Sequence, residues 1–149
     1  MGMRAFPPLL LIALAAACLL CACGGSDISP ETPRSRLEFH RALWQGQSLR
    51  AYRFRVRVSC FCPPEATAPT EFTVRDGVAT PVRETMRRFE TIEKLFAFIE
   101  EEIARGAQMV DVTYDPARGY PTQIVIDGSP QIADDELGVQ VDALTPLAP

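Results

Sequence analysis

Within the strand from Tyr52 to Cys62, the chain alternates without a break as far as Cys60. Tyr52, Phe54, Val56, Val58 and Cys60 take every second place, with Arg53, Arg55, Arg57 and Ser59 between them. Side chains of a strand point alternately to its two faces. The apolar set therefore belongs to a core, and three guanidinium groups belong to a face turned to water. Pro63-Pro64 ends the strand, because proline has no N–H to give to a ladder.

A second period sits further on. Ile92, Leu95, Phe96, Ile99 and Ile103 fall on one stripe of a helix from about Ile92 to Arg105, capped by Thr91 and stopped by Gly106. Leu95, Phe96 and Ile99 are expected to bury against a sheet that contains Tyr52 to Cys60. Glu100, Glu101 and Glu102 would crowd the exposed side near its C-terminal end, the wrong sign for the helix dipole. An earlier helix, from about Arg36 to Gln45, begins at the Ser35-to-Glu38 capping box, with Gly46 as its stop. It would place Leu37, His40, Ala42, Leu43 and Trp44 around one broad side.

Thr70 to Arg75 and Val78 to Glu84 read as a hairpin through Asp76-Gly77, with Pro81 putting the second arm at an edge. Met109 to Tyr114, Thr122 to Asp127, and a last strand carrying Leu137, Val139, Val141 and Ala143 complete the order α-β-β-β-α-β-β-β. Short connections favour antiparallel pairing. The expectation is an α+β domain: an antiparallel sheet with one main helix and one N-terminal helix packed against it.

The N-terminal end has a different character. Arg4 gives a short positive region, and Leu9 to Leu20 is almost unbroken apolar sequence, short for a permanent membrane span. Leu20-Cys21-Ala22-Cys23 then carries Leu at −3, small residues at −2 and −1, and Cys at +1. This is the pattern of a bacterial lipoprotein signal, with the Cys23 thiol receiving a diacylglycerol. Cys21 would put Leu20 at −1, and Cys18 lacks a large aliphatic at −3. The expected organisation is a signal peptide over 1–22, a flexible tether over 23–34, one domain over 35–145 and a frayed tail over 146–149. Gly24 after the lipidated residue argues for the periplasmic face of the outer membrane. Three acyl chains exceed the two that stable anchoring needs.

Charge excludes some functions. The whole chain carries −4, and losing Arg4 with the signal makes the remainder one unit more negative. That is no nucleic-acid footprint and no polybasic membrane patch. Cys60 and Cys62 are the cysteines left for the domain, in an oxidising compartment. Fully extended, their Cα atoms would stand ~6.5 Å apart, and a modest bend lets a disulfide close. A structural disulfide is the expectation; a redox-active pair is the alternative, and a zinc site has only His40 to add. Asp127, Asp134, Asp135 and Glu136 read as a solvated acidic loop rather than a calcium site. Asp115 and Asp127 could pair as carboxylates only if the fold brings them together. No nucleophile elbow or phosphate loop is present, so neither catalytic residues nor a cofactor are expected. Arg53, Arg55 and Arg57 could meet an anionic surface, but pairing across strands with Glu71 is the expectation. A partner, another envelope protein or polymer, would best use the loop from Asp115 to Pro121. There Tyr114, Arg118 and Tyr120 are candidate contacts, since Tyr and Arg dominate binding hot spots; the favoured alternative is that Tyr114 points into the core and Tyr120 packs over the hairpin, with Gly119 there for a positive φ.

Several pieces occur together: Tyr52-Arg-Phe54, Ser59-Cys-Phe-Cys-Pro63, Val74-Arg-Asp-Gly-Val78, Thr91-Ile-Glu-Lys-Leu-Phe96, the run from Val112 to Pro121, Ile124-Val-Ile-Asp127 and Asp135-Glu136. Over about Leu37 to Leu144 the chain resembles a family of bacterial envelope lipoproteins, domain of unknown function 6174. The resemblance implies a secreted or lipid-anchored module and brings no catalytic residues with it.

Overall fold

The computed structural model describes residues 32–128 and 136–148. Helix α1 (Pro33–Gly46) leads into β1 (Ala51–Ser59), a one-turn helix α2 (Pro64–Thr67), β2 (Thr70–Arg75) and β3 (Val78–Thr80). A 3-10 turn (Glu84–Met86), helix α3 (Ile92–Arg105) and strands β4 (Met109–Tyr114), β5 (Pro121–Asp127) and β6 (Leu137–Pro146) follow. The six strands form one sheet in the order β3-β2-β1-β6-β5-β4, antiparallel throughout. The expected α+β class is what the chain adopts. The last strand closes the sheet by inserting between β1 and β5, so the two halves of the chain share one ladder.

The alternation in β1 becomes a strict inside-outside pattern: Phe54, Val56 and Val58 are buried, while Arg53, Arg55, Arg57 and Ser59 are exposed. Phe72 and Val74, Ile124 and Ile126, and Val139 and Val141 continue that core face on neighbouring strands. Helix α3 lays Leu95, Phe96 and Ile99 onto this core, at 2% exposure or less. Its ends are as the local sequence dictates. The Thr91 side chain accepts from Lys94 N–H at 3.1 Å, and Gly106 takes a left-handed φ of 74°.

Three boundaries and two burials depart from expectation. Helix α1 starts at Pro33, with Thr32 as its cap and Ser35 closing the box from inside the helix. Proline suits the first helical position, where its missing N–H has no partner anyway. Ala42 on this helix is exposed. The arm expected to reach Glu84 stops at Thr80, where a cis Thr80–Pro81 bond turns the chain toward the 3-10 segment. The end of the chain is not frayed at 146: Pro146 pairs with Tyr52, and Leu147 N–H reaches the Ala51 carbonyl at 2.9 Å. Finally, Glu102 is buried rather than solvated. It is held by Arg105 and by Arg88 at 3.5 Å, while Glu100 meets Arg41 and Glu101 meets Arg88, each at 2.9 Å. Each carboxylate at the unfavourable helix end thus has a guanidinium beside it.

Candidate functional site

Both long helices cover one side of the sheet, so the face carrying Arg53, Arg55, Arg57 and Ser59 is left to solvent. Register decides what joins them. Arg57 stands opposite Gln140 on β6, and Gln140 opposite Gln123 on β5; Ser59 stands opposite Gly138, which is flanked on its other side by Val125. Gly138 has no left-handed φ, so its backbone does not demand glycine. A Cβ there would sit 3.1 Å from Ser59 Oγ. Its absence opens a hollow of about 210 Å³ whose polar walls are Arg57, Ser59, Gln123 and Gln140. A larger hollow of about 640 Å³ shares Ser59, Gln123 and Gly138 with it and runs on to Phe61, Val125, Leu137 and the acidic Glu136. The side chains of Arg57, Ser59, Gln123 and Gln140 form no hydrogen bond with one another or with any other described residue.

Cys60 and Cys62 close the end of this trough. Their sulfurs are bonded, and a bend after Ser59 brings the Cα atoms to 5.2 Å. The bridge holds Phe61 between them, 86% exposed on the rim. The arginine row is paired less than expected. Arg53 approaches Glu71 at 3.8 Å, and no other ion pair is formed by the row with described residues.

Of the two readings of the loop after β4, the architectural one holds. Tyr114 and Tyr120 are 9% and 8% exposed, so neither ring is available as an anchor. Tyr114 shares the inward face of β4 with Val112, and burial pushes its phenol up to about 12. Its ring stacks on His40 at 4.0 Å, while Tyr120 packs edge-on toward Trp44. The Asp115 carboxylate accepts from the N–H groups of Ala117 (3.0 Å) and Arg118 (2.7 Å), which fixes the loop's path. Arg118 is half-buried beside it.

Sequence reasoning passed over one hydrogen-bonded device. Trp44 Nε1 on α1 and the Tyr52 hydroxyl on β1 both donate to the Glu93 carboxylate on α3, at 2.9 and 2.8 Å. Tyr52 also accepts from Ile92 N–H at 3.0 Å. Burial and the adjacent carboxylate push the Tyr52 phenol far up. The signal was Tyr52 itself: a tyrosine on the core face of a strand needs a partner for its hydroxyl.

His40 supplies no chemistry of this kind. Its Nδ1 is buried with no hydrogen-bond partner among the described residues. Desolvation first, and Arg36 second, hold its pKa below the ordinary value. A lowered base pKa means that protons favour the unfolded chain, so the stability His40 permits is present above about pH 6.5 and lost as pH falls through its folded pKa. The gap in unfolding midpoint between His40→Gln and the parent should therefore move in the variant's favour from pH 7 to pH 5. A gap that stays constant would mean that the imidazole does not titrate against folding.

Cys23, and Asp134 and Asp135 of the acidic group, lie outside the described residues. Among those described, no three His, Cys, Asp or Glu side chains gather as a metal site, and no helix is long and apolar enough to cross a membrane. A family model described as a family of unknown function, DUF6174, matches residues 36–146. No curated protein and no solved structure matches the chain.

Proposed function

The chain belongs to the family of unknown function DUF6174, and we propose that as a member of it this protein is a lipid-anchored ligand-binding module of the bacterial cell envelope. The observation that carries the reading is the uncovered sheet face. That face carries a hollow whose walls include Arg57, Ser59, Gln123 and Gln140, with no hydrogen bond from these side chains to another described residue. Sites of this form are concave with a few convergent polar groups. The anchor is supported by Leu20-Cys21-Ala22-Cys23 and the apolar run before it. On this reading the lipidated Cys23 holds the domain at the periplasmic face of the outer membrane. The ligand is another envelope component rather than nucleic acid, and the domain binds without catalysing.

The test uses the full chain in its native envelope. A photo-crosslinking residue at Thr113, exposed on the open face, should give specific adducts; the same residue at Ala97, exposed on α3, should not. Mass spectrometry of the mature N-terminal peptide should show acylated Cys23. Adducts from the helix side alone, or a free N-terminus at Gly24 or beyond, would remove the corresponding half of the proposal. The competing reading is thiol–disulfide exchange through Cys60 and Cys62, which would make adduct formation depend on both sulfurs. Retention of adducts in a Cys60→Ser/Cys62→Ser variant speaks against it.

A further inference from the structure

The sheet has two edges, and the chain treats them differently. Strand β3 is three residues long, and Pro81 follows it at once. Short length and proline are ordinary ways to blunt an edge against added strands. Strand β4, at the other edge, runs for six residues with neither proline nor lysine among them. Its one irregularity in register lies between Thr113 and Tyr114, at its far end.

Parity shows which backbone groups this edge presents. Successive carbonyls of a strand point to opposite sides. The Thr122 hydroxyl of β5 donates to the Thr113 oxygen at 3.1 Å, so Thr113 faces β5. Val112 therefore turns its N–H and C=O outward, and Val110, two places back, does the same. One of these four groups is engaged: the Arg36 guanidinium on α1 donates to the Val112 oxygen at 2.7 Å. No described residue bonds the other three.

Two charges flank the same edge. Arg36 is half-buried, and Asp111 is exposed on the open face. Neither forms an ion pair with a described residue. These charges choose the occupant. A second copy pairing antiparallel through Val110 and Val112 would set Asp111 opposite Asp111, and like charges directly opposite destabilise a pair. It would also bring both Arg36 side chains to one seam. A foreign strand can answer both charges, with a carboxylate for Arg36 and an ammonium for Asp111. Arg36 comes from the helix-covered face and Asp111 stands on the other. Successive side chains of a strand point to opposite faces, so the two answering groups belong on adjacent residues.

We infer that the β4 edge takes an extended peptide segment of a partner protein as a seventh strand, one with neighbouring acidic and basic residues. The peptide backbone pairs with Val110 and Val112. Its carboxylate draws Arg36 from the Val112 oxygen, because a carboxylate accepts two parallel guanidinium bonds. The freed oxygen then accepts a peptide N–H. This edge is separate from the hollow and does not depend on the open-face reading.

The probe is a capped heptapeptide with Glu-Lys at its centre and threonine and valine around it. It is added to the full chain in detergent and followed by amide hydrogen exchange. In the free chain the N–H groups of Val110 and Val112 should exchange faster than those of Asp111 and Thr113, which face β5. The peptide should slow both valines saturably. Methylating the peptide nitrogens on the paired side should weaken binding about tenfold. Replacing the peptide glutamate by glutamine should weaken it about fivefold, and Arg36→Gln should erase that difference. The exchange and methylation results need no protein variant, so they decide the matter even where Arg36→Gln fails to fold. Slow exchange at Val110 in the free chain, protection confined to other strands, or indifference to methylation would each overturn the inference. A dimer that forms through β4 and excludes the peptide would give the edge to a second copy and overturn the choice of partner. Adducts at Thr113 without peptide binding would remove this site and leave the open face. Peptide binding without those adducts would remove the open face alone.

Discussion

Gly119→Ala should cost about 3 kcal/mol or more of folding stability, whereas Gly106→Ala should cost about 1 kcal/mol. Both glycines have a left-handed φ, 82° at Gly119 and 74° at Gly106, so both substitutions carry the same backbone strain. Space separates them. Nothing lies within 4 Å of a Cβ built at Gly106, but one at Gly119 would meet the His40 carbonyl oxygen at 2.5 Å and Leu43 Cβ at 2.9 Å. The carbonyl belongs to the backbone of α1, so relief requires the helix to lift from the loop. Lifting it would expose the His40–Tyr114 stack and the Trp44–Tyr120 contact together. Chemical denaturation of the two variants measures the difference. Equal losses would mean that α1 does not seat on the loop as described.

That contact marks where the sequence stops being legible. Helix α3 was readable end to end, because its stripe, its Thr91 cap and its Gly106 stop are all local. The β1 alternation foretold both faces of the sheet for the same reason. Helix α1 was readable in kind but not in its start. Ser35 and Glu38 satisfy the capping pattern, yet Thr32 with Pro33 satisfies it earlier in the chain. Tyr114 reads as inward from its parity with Val110 and Val112. Tyr120 reads as packed but not against what, because its partner is Trp44 on α1, which docks across the loop. The trough is the least legible feature. Ser59, Gly138 and Gln123 are unremarkable singly, and they meet only because β6 inserts between β1 and β5. Nothing local announces that long-range register, and with it the vacant place of one Cβ.

Trp44→Ala should cost about 3–5 kcal/mol, the other large effect, and the reason is more than volume. Trp44 is 3% exposed, and its ring meets Tyr52 edge-on at 5.3 Å as well as Tyr120. Its indole N–H adds a hydrogen bond to Glu93, the same carboxylate that Tyr52 engages. One acidic side chain on α3 thereby ties α1 and β1 to each other, although neither bonds the other directly. The packing and the hydrogen bonds separate by substitution. Trp44→Phe and Tyr52→Phe keep an aromatic ring and remove one donor each, at about 1–3 kcal/mol apiece. Their combination should depart from additivity by about 0.5 kcal/mol or more, as groups sharing a partner do. The physical cause is that Glu93, itself exposed, turns to water once both donors are gone, so the second loss is smaller than the first. Strict additivity in denaturant unfolding, followed by circular dichroism, would show that Glu93 does not couple them. A cost for Trp44→Ala below about 1 kcal/mol would show that α1 contributes little to the core it covers.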